Sequence, residues 1–318
     1  MAKKQSVLIT GGAGFIGSHL SERLLASGYK VIVFDNFQTG KFSNLANCTD
    51  NRDFFVVEGN INHRHHLRPL YRLPIDYIYH YAACVGVNRT LAQPLDVLDD
   101  IDGIRNILDL AREKKVKRFF YSSSSEVYGE SVSFPQNENS TPLNSKLPYA
   151  AIKNLGEIYI RTYHKEYGIP YTIFRFFNTY GPRQSKEFVI SKFISQALSN
   201  TPITVYGDGR QTRSFIYILD NIQATTNSLT CTESINKTIN IGNPIEINML
   251  DLAKIIIKTV NSKSKISHES ELLEGDMPRR VPDIHLMSSA LGSIPKTEFQ
   301  AGLNKTIAFF KNEYQEEK

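Results

Sequence analysis

Three glycines spaced three residues apart follow the first apolar run of the chain. The run is Val7–Thr10, the glycines are Gly11, Gly14 and Gly17, and residues 18–25 have a helical pattern. The first glycine permits a sharp turn, the second lets a phosphate approach the backbone, and the third permits close helix packing. The helix N-terminus adds free N–H groups and a partial positive charge. The stretch therefore predicts a strand, a phosphate-binding turn and a helix.

The next strand-like run ends in an acidic residue at the distance that a dinucleotide site requires. Lys30–Phe34 is rich in β-formers, and Asp35 follows 18 residues after Gly17. A carboxylate at this position accepts hydrogen bonds from the ribose hydroxyls of an adenosine and repels a 2′-phosphate. The pattern favours NAD over NADP. An ordinary βαβ turn with a surface aspartate is the alternative.

Strand-like and helix-like runs alternate through the first half of the chain. The later ones are the strand-like runs Phe54–Glu58, Asp76–Tyr81, Phe119–Tyr121 and Tyr171–Phe177, and the helical run Pro94–Lys115. Such alternation predicts an α/β fold with a doubly wound parallel Rossmann sheet, whose sites lie beyond the carboxyl ends of the strands. The alternation stops after residue 177. We therefore predict an NAD-binding Rossmann domain over residues 1–177 and a smaller α+β substrate domain over residues 178–318, with a short return to the large sheet near 238–242.

The predicted strand ends carry several candidate cofactor contacts. Asn60 and Ile61 follow the third strand, where the adenine lies in dinucleotide folds, although a turn asparagine explains Asn60 equally well. The small pair Ala82–Ala83 ends the fourth strand and allows a cofactor to approach closely. A nearby run of histidines, His63–His66, has no cysteine or paired carboxylate at ligand spacing. We interpret it as a solvated helix start and expect no metal site.

A tyrosine and a lysine lie downstream of a hydroxyl-rich strand end. The fifth strand runs into Ser122–Ser125, and Tyr149 and Lys153 follow on a predicted helix. Residues four apart share one helix face, so the ammonium group can lie beside the phenol. With an oxidised nicotinamide nearby, we expect the pKa of Tyr149 to be lowered, so that the phenolate can take a proton from a sugar or alcohol hydroxyl. A half-buried tyrosine beside a surface lysine is the alternative.

Composition limits the kinds of partner. The chain has 318 residues, a net charge of +5 and three scattered cysteines. A mild charge without a continuous basic stripe does not indicate nucleic acid. The start of the chain has no signal-peptide core, and no apolar run reaches the length needed to span a membrane. An odd number of scattered cysteines is typical of a reducing compartment. We therefore expect a cytoplasmic protein without a nucleic-acid or membrane partner.

Together these motifs resemble the extended short-chain dehydrogenase/reductase family, in its nucleotide-sugar epimerase/dehydratase branch. The resemblance covers nearly the whole chain. The matching segments include Thr10–Gly17, Asp35–Asn36, Ala82–Ala83, Arg175–Pro182, Val205–Arg213 and Ile241–Pro244, together with Ser124, Tyr149 and Lys153. The resemblance implies that Phe15, Ile16, Asn36 and Ser122 join the cofactor contacts.

The resemblance also implies roles at the reacting sugar. Tyr149 would be the catalytic base, Lys153 would hold Tyr149 and the nicotinamide ribose, and Ser124 would bond the sugar 4-oxygen. The implied substrate contacts are Ser124, Ser125, Asn178, Val189, Arg213 and Arg279. The implied cofactor is a retained NAD, the implied substrate is a nucleotide sugar, most simply UDP-linked, and the reaction would pass through a 4-keto sugar. Family members of this kind are homodimers, and we expect the same here.

One acidic residue bears on the outcome after the 4-ketone. Glu126 follows the serines, and a carboxyl beside the nicotinamide can serve a second proton transfer. The surrounding pattern is similar to that of UDP-glucuronate decarboxylases and GDP-mannose 4,6-dehydratases, which favours a lyase slightly over a 4-epimerase. A simple dehydrogenase that releases NADH is a third hypothesis, and a structural carboxylate capping the next turn is the alternative for Glu126.

The chain also departs from the family pattern. Asp100 and Ile104 stand where the family usually has Asn and Thr. Leu272 and Leu273 occupy positions where many 4-epimerases carry a diphosphate-binding arginine. We expect Arg279 or its neighbour Arg280 to take over that role.

Overall fold

A seven-stranded sheet forms the centre of the computed structural model, which describes residues 4–86, 92–131, 133–270 and 277–316. The strands in this part of the chain are β1 (Ser6–Thr10), β2 (Lys30–Asp35), β3 (Phe54–Glu58), β4 (Tyr77–His80), β5 (Arg118–Ser124), β6 (Tyr171–Phe176), β7 (Thr179–Tyr180), β8 (Ile203–Tyr206), β9 (Thr212–Ser214), β10 (Ile216–Tyr217), β11 (Lys237–Ile241), β12 (Glu246–Asn248), β13 (Ile266–Glu269) and β14 (Arg279–Arg280).

The large sheet has the order β11-β6-β5-β4-β1-β2-β3, and every pairing in it is parallel. The strand order reverses at β1, which lies between β2 and β4. The carboxyl ends of β1 and β4 therefore form the topological switch point, where ligands bind in open α/β sheets. The predicted doubly wound α/β fold is confirmed.

Helices cover both faces of this sheet. The helices in the described part of the chain are α1 (Phe15–Ala26), α2 (Pro94–Leu98), α3 (Asp100–Lys114), α4 (Pro148–Tyr167), α5 (Val189–Leu198), α6 (Ile218–Asn227), α7 (Met249–Val260), α8 (His285–Leu291) and α9 (Phe299–Glu316). Short 3₁₀ helices span Phe42–Cys48, Arg64–Leu67, Leu70–Arg72, Ser125–Tyr128 and Thr232–Ser234.

Two helices differ from the sequence prediction. Helix α1 begins at Phe15 rather than after Gly17, so the third glycine lies inside the first helical turn. The single helix predicted over Pro94–Lys115 is wrong, because two helices meet there at Asp99. Aspartate side chains favour helix caps over helix interiors, and Asp99 and Asp100 are consecutive at this break.

Alternation along the strands divides the apolar core into two layers. Val7 and Ile9 of β1 pack in one fully buried cluster, whereas Leu8 packs in the cluster on the opposite face. Successive side chains of a strand point to opposite faces, so a strand that is apolar throughout needs cover on both sides. This requirement explains why helices lie on both faces of the sheet.

The chain beyond β6 builds a smaller α+β region at the carboxyl ends of the large sheet. Its small sheets pair β10 with β7, β13 with β8, and β9 with both β12 and β14. Helices α5 and α7 pack against each other behind β8. Strand β11 returns to the large sheet and pairs in parallel with β6. This region places β14 and the start of α5 opposite the glycine turn.

Candidate active site

A cavity of about 970 Å³ lies along the carboxyl ends of the large sheet. Its wall contains the glycine turn, the ends of β2 to β6 and the first turns of α4 and α5. Of the site residues named from the sequence, all but Arg213 and Arg279 line this cavity. The structure thus brings the candidate cofactor contacts and the candidate sugar contacts to one continuous space.

The glycine turn has the close backbone contacts for which glycine is required. Gly11 has a φ of +70°, and a Cβ on it would lie 2.7 Å from the backbone nitrogen of Ala82. A Cβ on Gly17 would lie 2.8 Å from Gly12 Cα and would collide with the carbonyl oxygen of Gly11. Gly14 is the N-cap of α1, whose first turn has no acidic residue. The turn is therefore shaped to hold an anion against the start of a helix.

Asp35 at the end of β2 is built into the same turn. Its Oδ2 accepts a hydrogen bond from the Ala13 N–H at 2.9 Å, and its Oδ1 accepts one from the Phe37 N–H at 2.9 Å. Burial raises the pKa of Asp35, and these backbone hydrogen bonds act in the opposite direction. Each carboxylate oxygen can accept more than one hydrogen bond. The residues present therefore fit the adenosine ribose of NAD.

Asn60 lines the cavity in the arrangement of a turn residue. Its side-chain oxygen accepts a hydrogen bond from the Asn62 N–H at 2.9 Å, and its own N–H donates to Nδ1 of His66 at 3.1 Å. The neighbouring His63 stacks on His65, and His65 meets His66 edge to face. Within the described ranges, no group of three or more His, Cys, Asp or Glu side chains is arranged to hold a metal ion.

Tyr149 and Lys153 lie on one face of α4 beside the end of β5. The Lys153 ammonium group donates to the Ser122 carbonyl oxygen at 2.6 Å and lies 5.7 Å from the centre of the Tyr149 ring. The Ser124 hydroxyl oxygen accepts a hydrogen bond from the Glu126 N–H at 3.1 Å. Because α4 packs against β5, Tyr149, Lys153 and Ser124 are held by rigid elements.

Burial controls the titration of this pair. The pKa of Lys153 is lowered to about 8, chiefly by burial, with Asp100 acting in the opposite direction. The pKa of Tyr149 is raised by burial and then by the Glu126 carboxylate, whereas the Ser124 hydroxyl and Arg280 act to lower it. We expected the lysine, with an oxidised nicotinamide nearby, to lower the pKa of the phenol. Among the protein groups that act on Tyr149, burial has the largest effect, and burial disfavours the phenolate.

Glu126 forms an ion pair with a residue from the C-terminal region. Both terminal nitrogens of the Arg280 guanidinium donate to its carboxylate, with Nη1 to Oε1 at 2.6 Å and Nη2 to Oε2 at 3.0 Å. Both residues line the cavity, and 23% of the Glu126 side chain is exposed. The pair thus brings an acid and a guanidinium to the same side of the site as Ser124 and Tyr149.

Arg279 does not line the cavity. Its guanidinium binds the Glu246 carboxylate at 2.6 Å and lies 4.8 Å from the centre of the Phe134 ring, on the outer side of β14. Neighbouring residues of a strand point to opposite faces, so only one of the two arginines can point inward. The sequence pattern named both residues but could not decide which faced the site.

Arg213 also lies outside the cavity wall. It is buried, and its Nη1 donates to the carbonyl oxygens of Thr212 at 2.8 Å and Met277 at 2.7 Å. These bonds attach the segment that carries Arg280 to strand β9. Leu272 and Leu273, which were named above as a departure from the family pattern, lie outside the described residues.

A buried ion pair beneath the site was not predicted. Glu157 lies one helical turn after Lys153 and is fully buried, and Arg175 of β6 binds both of its oxygens at 2.9 and 2.8 Å. The Ser123 hydroxyl donates to the same carboxylate at 2.6 Å. The pair therefore joins α4, β5 and β6 directly below the residues that face the cavity. The only sequence signal was a charged residue on the inner face of an amphipathic helix.

The fold and site define a dinucleotide-binding protein of the short-chain dehydrogenase type, with a Tyr–Lys pair beside a glycine turn. The family model described as "NAD dependent epimerase/dehydratase family" matches residues 7–242. The chain belongs to this family, whose cofactor is NAD, as Asp35 indicated.

Relatives of known name support the same assignment over nearly the full length. The chain is 35% identical to UDP-glucuronic acid decarboxylase 1 of Xenopus tropicalis, covering 98% of this chain and 73% of that protein. It is 36% identical to UDP-N-acetyl-alpha-D-glucosaminuronate decarboxylase of Bacillus cytotoxicus, covering 97% and 98%.

Solved structures have the same fold. The UDP-glucuronic acid 4-epimerase of Bacillus cereus, solved with UDP-glucuronic acid and NAD, aligns with a TM-score of 0.89 and 30% identity, over 98% of this chain and 100% of that one. Among the helices described here, none combines the length and apolar character that crossing a bilayer would demand.

Proposed function

We propose that this protein is an NAD-dependent enzyme that removes carbon dioxide from a UDP-linked uronic acid through a 4-keto intermediate. The observation that carries the proposal is the Glu126–Arg280 pair beside Ser124 and Tyr149. A guanidinium binds a carboxylate through two parallel hydrogen bonds, so Arg280 suits the carboxylate of a uronic acid. The buried Nε of Arg280 has no hydrogen-bond partner in the described part of the chain, which supports a further contact with a ligand.

The cofactor and the sugar would lie in different halves of the cavity. We propose that residues 1–177 hold NAD through the glycine turn, Asp35 and Lys153, and that residues 178–318 hold the nucleotide sugar. Asn178 and Val189 line the cavity on the second side. When bound, NAD supplies a hydride acceptor at sugar C4 and returns the hydride before release.

Each side chain then has a stated task. The Tyr149 phenolate accepts the proton of the C4 hydroxyl, Ser124 bonds the same oxygen, and Lys153 holds the nicotinamide ribose. The C4 ketone is β to the C6 carboxylate, so the C5–C6 bond can break and its electron pair can form an enolate. Carbon dioxide leaves, and Tyr149 stabilises the enolate oxygen. Glu126, once Arg280 binds the substrate carboxylate, is free to take up a proton from water and deliver it to C5.

The test is incubation with UDP-glucuronate followed by mass spectrometry. We expect a product that has lost the mass of carbon dioxide, with no substrate-dependent rise in NADH absorbance. Arg280→Lys should lower this turnover by about 10²-fold or more, because a point charge replaces a bidentate contact. Arg279→Lys is the matched control and should stay close to wild type. Accumulation of NADH would instead support a dehydrogenase.

A UDP-uronic acid 4-epimerase is the second candidate. It is favoured by the Ser124–Tyr149 pair, which suffices for oxidation and reduction at C4, and by the likeness to a solved 4-epimerase. A product of unchanged mass with a new NMR spectrum would support this reaction and refute the decarboxylase. Glu126→Gln separates the two reactions further. It should slow decarboxylation but not 4-epimerisation, because plain epimerisation at C4 requires no proton transfer at C5.

We also propose that the protein is a cytoplasmic homodimer. Four apolar side chains on α2 and α4 are exposed, namely Leu95, Leu98, Ile158 and Tyr167. Apolar residues grouped on neighbouring helices are typical of an interface. Light scattering should give twice the mass of the chain, and Ile158→Asp should give the monomer.

A further inference from the structure

Asp100 places a carboxylate in the cavity wall on the side facing α4. It is the first residue of α3, and it lines the same cavity as Lys153 and Tyr149. Its Oδ2 accepts a hydrogen bond from the Cys84 N–H at 2.6 Å, and its Oδ1 accepts one from Asn62 Nδ2 at 3.5 Å. The carboxylate thus joins the loops after β3 and β4 to the start of α3.

We propose that Asp100 is a positioning residue with two linked tasks: it is the counter-ion that keeps Lys153 an ammonium, and it fixes the Ala82–Gly86 wall of the cavity. The inference rests on the proposed function for its effect on turnover, but not for its effect on Lys153. Asp100 itself is not assigned a contact with the reacting atoms.

The charge balance around Lys153 supports the first task. The side chain is 4% exposed, and its ammonium group contacts the Ser122 carbonyl oxygen and the rings of Tyr121 and Tyr149. Burial favours the neutral amine, which is why the pKa of Lys153 is lowered to about 8, and Asp100 is the group that acts against this change. Among the described residues, Asp100 is the group whose negative charge acts on the Lys153 ammonium.

The groups around Asp100 are consistent with an ionised carboxylate. Burial raises the pKa of Asp100, whereas the Cys84 N–H, the Lys153 charge and the Asn62 amide act in the opposite direction. The adjacent Asp99 adds a smaller repulsion. Two hydrogen-bond donors and one cation therefore face the carboxylate from three different elements.

The same carboxylate affects the catalytic base. The negative charge of Asp100 contributes to the raised pKa of Tyr149, in addition to burial and Glu126. Removing that charge should make both the phenol and the ammonium more acidic. Turnover that requires a phenolate and an ammonium rises through the first pKa and falls through the second. Both limbs of the pH profile should then move toward lower pH together.

The first experiment needs no substrate. In the full chain saturated with NAD and labelled with [ε-¹⁵N]lysine, the Lys153 nitrogen is assigned by comparison with Lys153→Met and titrated by NMR. We expect Asp100→Asn to move its titration to lower pH. Asp102→Asn is the matched control, because it removes the same charge from the first turn of the same helix at a side chain that is 62% exposed. Equal titration in wild type and Asp100→Asn would overturn the proposal.

The second experiment separates charge from anchoring. In Asp100→Asn, the amide oxygen can still accept the Cys84 N–H, so the profile of kcat against pH should move to lower pH with a small change in KM. Asp100→Ala removes the anchor as well and should raise KM in addition. A loss of activity without movement of either limb would mean that Asp100 is only structural. A wild-type chain inactive on UDP-glucuronate would refute the proposed function and leave the NMR result standing.

Discussion

Replacing Glu157 by glutamine should destabilise the fold far more than its small change in shape suggests. The carboxylate accepts bonds from Arg175 Nε at 2.9 Å, Arg175 Nη2 at 2.8 Å, the Ser123 hydroxyl at 2.6 Å and Arg161 Nη2 at 2.8 Å. A glutamine keeps one acceptor oxygen but turns an NH₂ group toward donors. Arg175, which is 2% exposed, would then carry an uncompensated charge in the interior.

The expected loss is large because both charges are out of water. Breaking a buried ion pair by removing one partner costs about 3–5 kcal/mol. An exposed pair such as Asp102–Arg105 contributes only about 0–1 kcal/mol, so Asp102→Asn is the control. Replacing Glu157 and Arg175 together by methionine should recover part of the loss, since no lone charge is then left inside.

Urea unfolding at 25 °C measures these differences in the free energy of unfolding. The pH dependence of that free energy supplies an independent check. Burial alone would raise the pKa of Glu157, but the bonds and charge of Arg175 outweigh it and hold the pKa below its ordinary value of 4.5. The stabilisation is therefore complete above that value and is lost as the pH falls through the folded-state pKa. The reasoning would be refuted if Glu157→Gln lowered the free energy of unfolding by less than about 1 kcal/mol. It would also be refuted if the difference in that free energy between variant and wild type did not become smaller in acid.

Three further changes test other parts of the site. Tyr149→Phe should lower kcat by about 10²–10⁴-fold while nucleotide-sugar binding, measured by calorimetry, remains. Gly17→Ala should cost about 1–3 kcal/mol in urea unfolding and weaken NAD binding, because the new Cβ would lie 2.8 Å from Gly12 Cα. Asp35→Ser should raise the affinity for NADP relative to NAD in fluorescence titrations, since the carboxylate that repels a 2′-phosphate is gone.

The features of the fold and site that could be predicted from the sequence are those determined by residues close together in the chain. The glycine turn, the strand before it and Asp35 all lie within residues 7–35, so their spacing alone indicates how they meet. The Tyr149–Lys153 pair is likewise local, because residues four apart share a helix face. Strand β11 was visible as a short apolar run, and the structure pairs it with β6.

The parts that sequence reasoning missed depend on contacts distant in the chain. Glu126 and Arg280 are separated by 154 positions, and only the pairing of β14 with β9 determines which of two adjacent arginines points inward. The Glu157–Arg175 pair lies inside the layer between α4 and β6, where no exposed pattern marks it. The burial that dominates the pKa of Tyr149 was also beyond the sequence, since burial is a property of the folded chain.

The contrast between the two carboxylates also supports the proposal that the substrate is a uronic acid rather than a neutral sugar. Glu157 is sealed inside the protein, whereas Glu126 is partly exposed and pairs with Arg280 in the cavity wall. A substrate carboxylate can replace Glu126 on the guanidinium and keep two charge-assisted hydrogen bonds, so the exchange loses little interaction energy. A neutral sugar offers no such exchange, and breaking the pair for it would leave the largely buried guanidinium of Arg280 without a counter-ion. In the proposed decarboxylation, release of Glu126 for proton transfer would therefore be coupled to binding of the carboxylate that the reaction removes.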